Sequence, residues 1–326
     1  MAWGWLSVVL AVLALFLFVG ERSWAVMLLL YVPRALFLVP LPFIGLVLLI
    51  TGQRRLLWTQ ALCALLVVWP LMGLRVSLPH RDSGPSLRLL TYNVWAGALG
   101  AEAIRRDVLE ARPDLVLFQA TTQAADDAFR DPAFRGWSLR RAGPYSIATR
   151  YPVREVGVAT EAPSANGPPF VRFLVETPLG PLDVFSIHPQ SLRGTFNALP
   201  AGCGFRRTLR DGCAVQALRK NRAQRERQVR AVAEAAARSQ HLVVIAGDIN
   251  LPGLSRLQER ELGRYQDGFL EAGRGFGYTF PANSLAAWLR LDRILAGPGL
   301  RFAAFGVGGD GGSDHRPVWA DLQRAP

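Results

Sequence analysis

The chain has 326 residues, enough for one large domain and something small, with 37 Lys and Arg against 25 Asp and Glu and a formal charge of +12. Half of it is hydrophobic, and the mean hydropathy of +0.19 is high for a soluble protein and argues against one evenly composed globular unit. The apolar excess sits at the N-terminus: residues 1–20, 35–53 and 56–74 carry no charged side chain. Each stretch approaches the roughly 20 residues that cross a hydrocarbon core of about 30 Å.

Taken in chain order, residues 1–74 are expected to form a transmembrane anchor of about three helices, with four-span or re-entrant arrangements as variants. A cleavable signal peptide fits residues 1–20 poorly, because no Lys or Arg precedes the apolar run and two further apolar segments follow. Pro33, Pro40 and Pro42 bend or break the middle segment, which membrane helices tolerate better than soluble ones. Residues 23–33 are apolar but short, suiting an interfacial helix or part of the second span. Arg54 and Arg55 in the turn before the third segment place that turn on the cytoplasmic side and the large domain outside. Arg22, Arg34, Arg75, Arg81 and Arg88 argue the opposite orientation; the extracytoplasmic side is the expectation carried forward. Cys203 and Cys213 lie close enough to pair in an oxidising compartment, and two unrelated thiols fit the sequence equally well.

Residues 75–86, polar and broken by prolines and a glycine, read as a linker, and residues 87–326 as the large domain. Leu87–Tyr92, Leu115–Phe118, Leu182–Ile187 and Leu242–Ala246 are short apolar runs of buried-strand length. Ala101–Ala111 and Ala214–Ser239 have helical character between them, which makes the domain a mixed α/β unit.

The ends of those strands carry a recurring polar cargo. The first ends in Thr91-Tyr92-Asn93, the third in His188, and the fourth in Gly247-Asp248-Ile249-Asn250; Asp292 lies in a later apolar run, and Ser313-Asp314-His315 follows. Carboxylate and amide oxygens suit a hard divalent cation, and amides and imidazoles suit phosphoryl oxygens. Singly these signals are weak, since a lone Gly-Asp-x-Asn is more often a turn than a metal site. As an ordered set they resemble the endonuclease/exonuclease/phosphatase superfamily, whose members end successive strands in T-x-N, Q-E, His and G-D-x-N and close with an Asp in an apolar strand and S-D-H. The resemblance runs over about residues 87–323 and implies a four-layered α/β/β/α sandwich, two β-sheets packed face to face with helices outside.

It also implies roles. Asn93 and Asp314 would hold Mg²⁺, with Mn²⁺ as the alternative. Asp248 would orient or deprotonate the attacking water, and Asn250 would bind a phosphoryl oxygen. His315, polarised by Asp292, would contact the phosphate, and His188 would stabilise developing charge or assist the leaving group. One position departs from the pattern: Gln119 is followed by Ala120, where the family has its metal-binding Glu, and a methyl group ligates nothing. Asp126 and Asp127 are the nearest substitutes in sequence.

Residues 193–230 hold ten basic side chains against Asp211 and Glu226, and Arg206, Arg207 and Arg210 within it are candidate substrate-binding cations. Such a cluster grips an anionic lipid surface or a nucleic-acid backbone, or is simply a solvated helix face in a chain whose cations are almost all arginine.

The expectation is therefore a membrane-tethered, metal-dependent hydrolase of phosphoesters of the nucleic acid, phospholipid or inositol phosphate class. Its partners would be that substrate and the lipid bilayer, with nucleic acid as an alternative and no obligate protein partner. The competing reading is a tethered binding domain weakened or silenced by Ala120. Replacing Arg206, Arg207 and Arg210 with neutral residues is expected to weaken binding to acidic liposomes or nucleic acid and to flatten its salt dependence. An unchanged salt slope in a binding titration would assign those charges to solvation.

Overall fold

The structure, a computed structural model, describes residues 1–77, 84–163, 167–197, 199, 203, 212–282, 284 and 286–326. Arg206, Arg207 and Arg210 lie outside the described residues.

The N-terminal segment folds as a small helical cluster. Helix α1 (Ala2–Ala14) runs on through irregular helical turns to Arg22, and this 21-residue run is long and apolar enough to cross a membrane. A short α2 (Trp24–Leu29), α3 (Pro40–Ile50) and α4 (Leu57–Leu66) follow. The apolar helix at the second expected span, Arg34–Ile50, is shorter than a full crossing. Leu6, Val9 and Phe16 of the first run pack on Leu30, Cys63, Val67 and Leu71, giving the cluster a core of its own.

Fourteen strands follow among the described residues: β1 (Arg75–Val76), β2 (Leu87–Asn93), β3 (Leu115–Gln119), β4 (Ser138–Ala142), β5 (Tyr145–Thr149), β6 (Val153–Val158), β7 (Phe170–Thr177), β8 (Gly180–Ile187), β9 (Leu242–Asp248), β10 (Gln266–Asp267), β11 (Arg274–Gly275), β12 (Asp292–Ala296), β13 (Leu300–Val307) and β14 (Val318–Arg324). Twelve of them make two six-stranded sheets, ordered β13-β14-β2-β3-β5-β4 and β10-β12-β9-β8-β7-β6, and β1 and β11 make a separate pair. β2 and β3 run parallel in one sheet, and β8 and β9 run parallel in the other. Residues 75–86, read as a linker, begin with β1, which pairs antiparallel with β11.

The central strands, among them β2, β3, β8 and β9, are buried on both faces, which is why their sequences are near-continuous apolar runs without alternation. In β2, Leu87 and Leu89 point between the sheets while Leu90 and Tyr92 point outward; in β9, Val244 and Ala246 point inward and Val243 and Ile245 outward. The outward set of the first sheet packs on Ile104, Val108 and Ala111 of α5 (Ala101–Ala111), spaced four and three residues apart on one helical face. Two further short helices, α6 (Gln123–Ala128) and α7 (Leu192–Asn197), come before the second covering helix, α8 (Cys213–Ala237). Val229, Val232 and Ala236 of α8 cover the outward set of the second sheet. The expected α/β/β/α sandwich is the observed architecture, and Cys203 and Cys213 are joined as a disulfide at the start of α8.

The helical cluster is bonded to the domain by buried polar groups. Glu21 reaches across to cap the helix α9 (Arg256–Leu262): its carboxylate accepts from the backbone N–H of Arg256 and Leu257 and from the Ser255 hydroxyl. A carboxylate there satisfies orphan donors and complements the helix dipole. Removing it with Glu21→Ala is expected to destabilise the full chain by about 1–2 kcal/mol, the usual worth of a helix cap. Chemical denaturation in mild detergent measures this, and no change would mean that residues 1–22 do not seat on the domain.

Candidate active site

The topology delivers the polar cargo to one end of the sandwich. Parallel β2 and β3 end in Asn93 and Gln119, and parallel β8 and β9 end in Ile187, just before His188, and in Asp248. β12 runs antiparallel to β9 with Asp292 opposite Asp248, and β14 runs antiparallel to β2 with Ser313–His315 just ahead of it. Strands of both sheets thus begin or end at one rim. Below that rim Gln119 bridges the sheets, accepting from the Thr91 hydroxyl at 3.2 Å and donating to Ser186 Oγ at 2.9 Å. Gly247, before Asp248, lies so close to β8 that a Cβ would sit 2.1 Å from the Ile187 carbonyl oxygen, so only glycine fits.

Asp248 is the hub. Its Oδ2 accepts from Asn93 Nδ2 of the opposite sheet at 2.9 Å and from Asn250 Nδ2 at 3.3 Å, and its Oδ1 accepts from the Asn250 N–H at 2.9 Å. Two imidazoles flank it, His188 Nε2 at 3.5 Å and His315 Nε2 at 3.6 Å from Oδ2. His315 Nδ1 lies 2.7 Å from Asp292 Oδ2, the expected Asp–His pair, and its ring packs on Phe280 with centroids 4.8 Å apart.

The two histidines are driven apart electrostatically. Burial opposes the charged form of both. For His315 the Asp292 and Asp248 carboxylates overcome burial and raise it to about 9, so it is an imidazolium at neutral pH. For His188 burial wins over Asp248, helped by the charge of His315, and the ring is held below its ordinary value. Opposite protonation in neighbouring groups is the arrangement from which acid and base roles are built.

Asn250 sits in the left-handed region at φ 53°. It is pinned by its side-chain bond to the Pro189 carbonyl at 2.9 Å and by a contact the sequence did not signal. The Tyr31 hydroxyl, from the helical segment, donates to the Asn250 carbonyl at 2.5 Å; Arg225 of α8, almost wholly buried, donates to both that carbonyl (3.0 Å) and the Tyr31 oxygen (2.6 Å). Tyr31 lines the pocket of about 350 Å³ that also holds Asn93, His188, Asp248, Asp314 and His315. Nothing local marks Tyr31 or Arg225, which are 194 residues apart. Arg225 belongs to the basic segment 193–230. Other members of that segment are engaged by carboxylates: Glu226 pairs with Arg222 and Arg230.

The corner that the resemblance assigns to metal consists of Asn93, Asp314 and Ala120, all on the pocket wall. Asn93 Oδ1 accepts from the Trp95 N–H at 3.1 Å, and Asp314 Oδ2 pairs with Arg193 Nη1 at 2.7 Å. Arg193 is half exposed and lies 5.8 Å over the Trp95 ring, so it can swing away. One carboxylate and one amide oxygen fit Mg²⁺, which commonly takes one or two carboxylates and keeps several waters, though they form no closed cage. Asp248, Asp292 and His315 form a second buried group, with ligand atoms within 4.8 Å of one another, that could hold a divalent cation. Asp126 and Asp127 do not substitute for the missing Glu; they pair with Arg141 and Arg130 outside this pocket.

A sandwich of two mixed sheets whose strand ends converge Asp, Asn and His on one pocket defines a class of proteins built to handle phosphoryl groups. A family model described as the endonuclease/exonuclease/phosphatase family matches residues 90–315, and the chain belongs to that family. Among solved structures it is similar to an endonuclease/exonuclease/phosphatase family protein from Bacteroides thetaiotaomicron, with TM-score 0.55 and 15% identity over 75% of this chain and 100% of that one. It is also similar to the mannosyl-6-phosphatase of the same organism, with TM-score 0.53 and 15% identity over 73% and 99% of the two chains. A 3′ phosphatase from Neisseria bound to product DNA hairpin aligns with TM-score 0.53 and 17% identity over 73% of this chain and 99% of that one. At such identity the likeness is one of fold. No curated protein matches by sequence.

Tyr31→Phe removes the hydroxyl that holds the Asn250 carbonyl while keeping the ring. It is expected to lower kcat for a phosphoester substrate by about tenfold with KM little changed, since a misplaced group costs the transition state more than binding. Steady-state kinetics beside a thermal melt check this; an unchanged kcat means that Tyr31 does not position the site.

Proposed function

We propose that the chain is a Mg²⁺-dependent hydrolase of phosphoester bonds, tethered to a membrane, working in the pocket around Asp248. The observation that carries this reading is the buried constellation of Asp248 between His188 and His315, with Asp292 behind His315. Asp248, held by three amide N–H donors, keeps an oxygen directed at the pocket and orients or deprotonates the attacking water. The His315 imidazolium, fixed by Asp292, neutralises charge on the phosphoryl oxygens, and the Asn250 amide contacts them. His188 donates its single N–H to charge that develops as the leaving group departs. Asp314 and Asn93 would hold Mg²⁺, or Mn²⁺, and Arg193 would release Asp314 to it. When bound, the cation supplies Lewis-acid charge neutralisation.

The substrate belongs to the nucleic acid, phospholipid or inositol phosphate class; among similar structures, one carries a DNA hairpin product and another is named for a mannosyl phosphate. Membrane attachment is supported by the 21-residue apolar helix and by exposed Phe18, Phe43, Leu46, Ile50 and Leu65 on the helical cluster. The bonds of Glu21 and Tyr31 to the domain argue for a retained segment over a cleaved signal. The Cys203–Cys213 disulfide supports an extracytoplasmic domain. Ala120 favours a second reading, in which the same pocket binds a phosphoester without turning it over.

The full chain in detergent, with Mg²⁺ or Mn²⁺, is to be assayed against DNA, RNA, a chromogenic phosphodiester and phospholipids. Metal-dependent turnover is expected, and Asp248→Asn should remove it by on the order of a thousandfold. Ala120→Glu should tighten Mg²⁺ in a calorimetric titration and raise the rate at limiting metal, a gain that shrinks as metal saturates. A silent wild type with an active Ala120→Glu would decide for the binding reading.

A further inference from the structure

A cavity of about 730 Å³ lies between the helical cluster and the sandwich, lined by different residues from the catalytic pocket apart from Leu289. One wall is apolar: Leu13, Leu17 and Trp69 from the helices, with Leu254 facing from the domain. The other carries three arginines, Arg34, Arg290 and Arg293, each at least nine-tenths buried.

The charges in that wall do not balance among the described residues. Asp267 is the buried carboxylate there, and it takes both Arg290 (2.7 and 2.9 Å) and Arg293 (2.7 Å). Arg34 has no carboxylate. Its guanidinium donates to three backbone carbonyls, Leu71 at 2.7 Å, Gly253 at 2.6 Å and Leu30 at 3.3 Å, and its Nε is without a partner, as is Arg293 Nε. Three buried cations therefore face one buried anion. Burial, with neighbouring Arg290 adding to it, pulls Arg293 down to about 9 against the opposing pull of Asp267. At the rim Arg256 is already paired with Glu259 at 2.6 Å, so that acid does not restore the balance. Taking charged groups out of water without counter-charge costs several kcal/mol each, and a ligand that brings negative charge relieves it.

We propose that this cavity binds an anionic lipid, its phosphate or other acidic head against Arg34 and the Arg290–Arg293 pair and its acyl chains along Leu13, Leu17 and Trp69. The planar guanidinium fork can bond two oxygens of a tetrahedral phosphate at once, and apolar helix surface matches an acyl chain. The volume holds a headgroup, a glycerol unit and the first part of the chains, with the remainder running out over the exposed helix faces. Because Arg34 joins the carbonyls of Leu30, Leu71 and Gly253, a lipid there also cements the ends of two helical segments to the loop that leads from Asn250 into α9. This site makes no use of the catalytic pocket and stands whether or not the chain hydrolyses phosphoesters.

The test is native mass spectrometry and thermal melting of the full chain in detergent, titrated with phosphatidylglycerol, phosphatidylcholine or inorganic phosphate. Expected are one retained phosphatidylglycerol per chain, a raised melting temperature with that lipid, at least about tenfold weaker phosphatidylcholine binding, and no shift with inorganic phosphate. Arg34→Gln removes the cation that lacks a carboxylate, and Leu17→Trp fills the apolar wall while leaving every charge in place; each should weaken phosphatidylglycerol by about tenfold or more. Should Arg34→Gln fail to fold, Leu17→Trp decides alone. Equal binding of the two lipids overturns the anionic specificity. A shift with inorganic phosphate as large as with the lipid overturns the amphiphile. Undiminished phosphatidylglycerol binding by Leu17→Trp overturns the location.

Discussion

The rest of the structure is arranged around one buried charge. Asp248 is almost fully removed from water, and a carboxylate so placed is tolerable only if its oxygens are saturated with donors. The donors come from both sheets: Asn93 from the end of β2 and Asn250 from the turn after β9. That requirement sets the stagger of the two sheets, because Asn93 reaches Asp248 only if β2 and β9 end at the same level. The Thr91–Gln119–Ser186 chain of hydrogen bonds one layer down repeats the constraint. A one-residue slip in either parallel pair would turn these side chains to the outer faces, so the register that buries the core also assembles the pocket.

The second dependence runs outward from Asn250. Its left-handed backbone leaves its carbonyl pointing away from the sheet, toward the helical segment, where Tyr31 and Arg225 receive it. Arg225 is buried with a neutral oxygen, a hydroxyl and the Met27 sulfur as partners, a set that exists only while the segment is docked. With Glu21 on α9, Trp288 donating to the Tyr31 carbonyl and Tyr278 donating to the Met72 carbonyl, the apolar segment is a structural part of the domain it carries. Its effect on the site is physical continuity: two hydrogen bonds separate the Met27–Tyr31 stretch from the carboxylate hub.

The corner proposed for metal is the weakest-built part of the pocket. With alanine at position 120, Asp314 is its one acid, and the half-exposed Arg193 lies against that acid. Charge at this corner is thus balanced from within the chain, and a divalent ion bound there would have to compete with the Arg193 guanidinium. Arg193 reaches the buried Asp314 carboxylate from a half-exposed position, and a divalent cation would bring that carboxylate twice the charge of the guanidinium.

Much of this was legible before any coordinates. The apolar runs that became β2, β3, β8 and β9 were visible because strands buried on two faces need continuous hydrophobicity, and Ala101–Ala111 was visible because its buried residues recur at helical spacing. The polar residues at their ends gather in one pocket, with Ala120 on its wall, and both were readable because they follow from residue chemistry at a position. The sequence alone also marked the apolar N-terminal region, while the pairing of β1 with β11 at the start of residues 75–86 appears only in the fold. What only the tertiary structure decided were the partnerships between distant positions: Arg193 with Asp314, Tyr31 with Arg225 and Asn250, Glu21 with the start of α9, and Arg34 with three carbonyls. An arginine in a charged stretch looks the same whether it ends in water or against a buried oxygen. Periodicity reports which face of an element is apolar, and it carries no information about which element, up to hundreds of residues away, that face will meet.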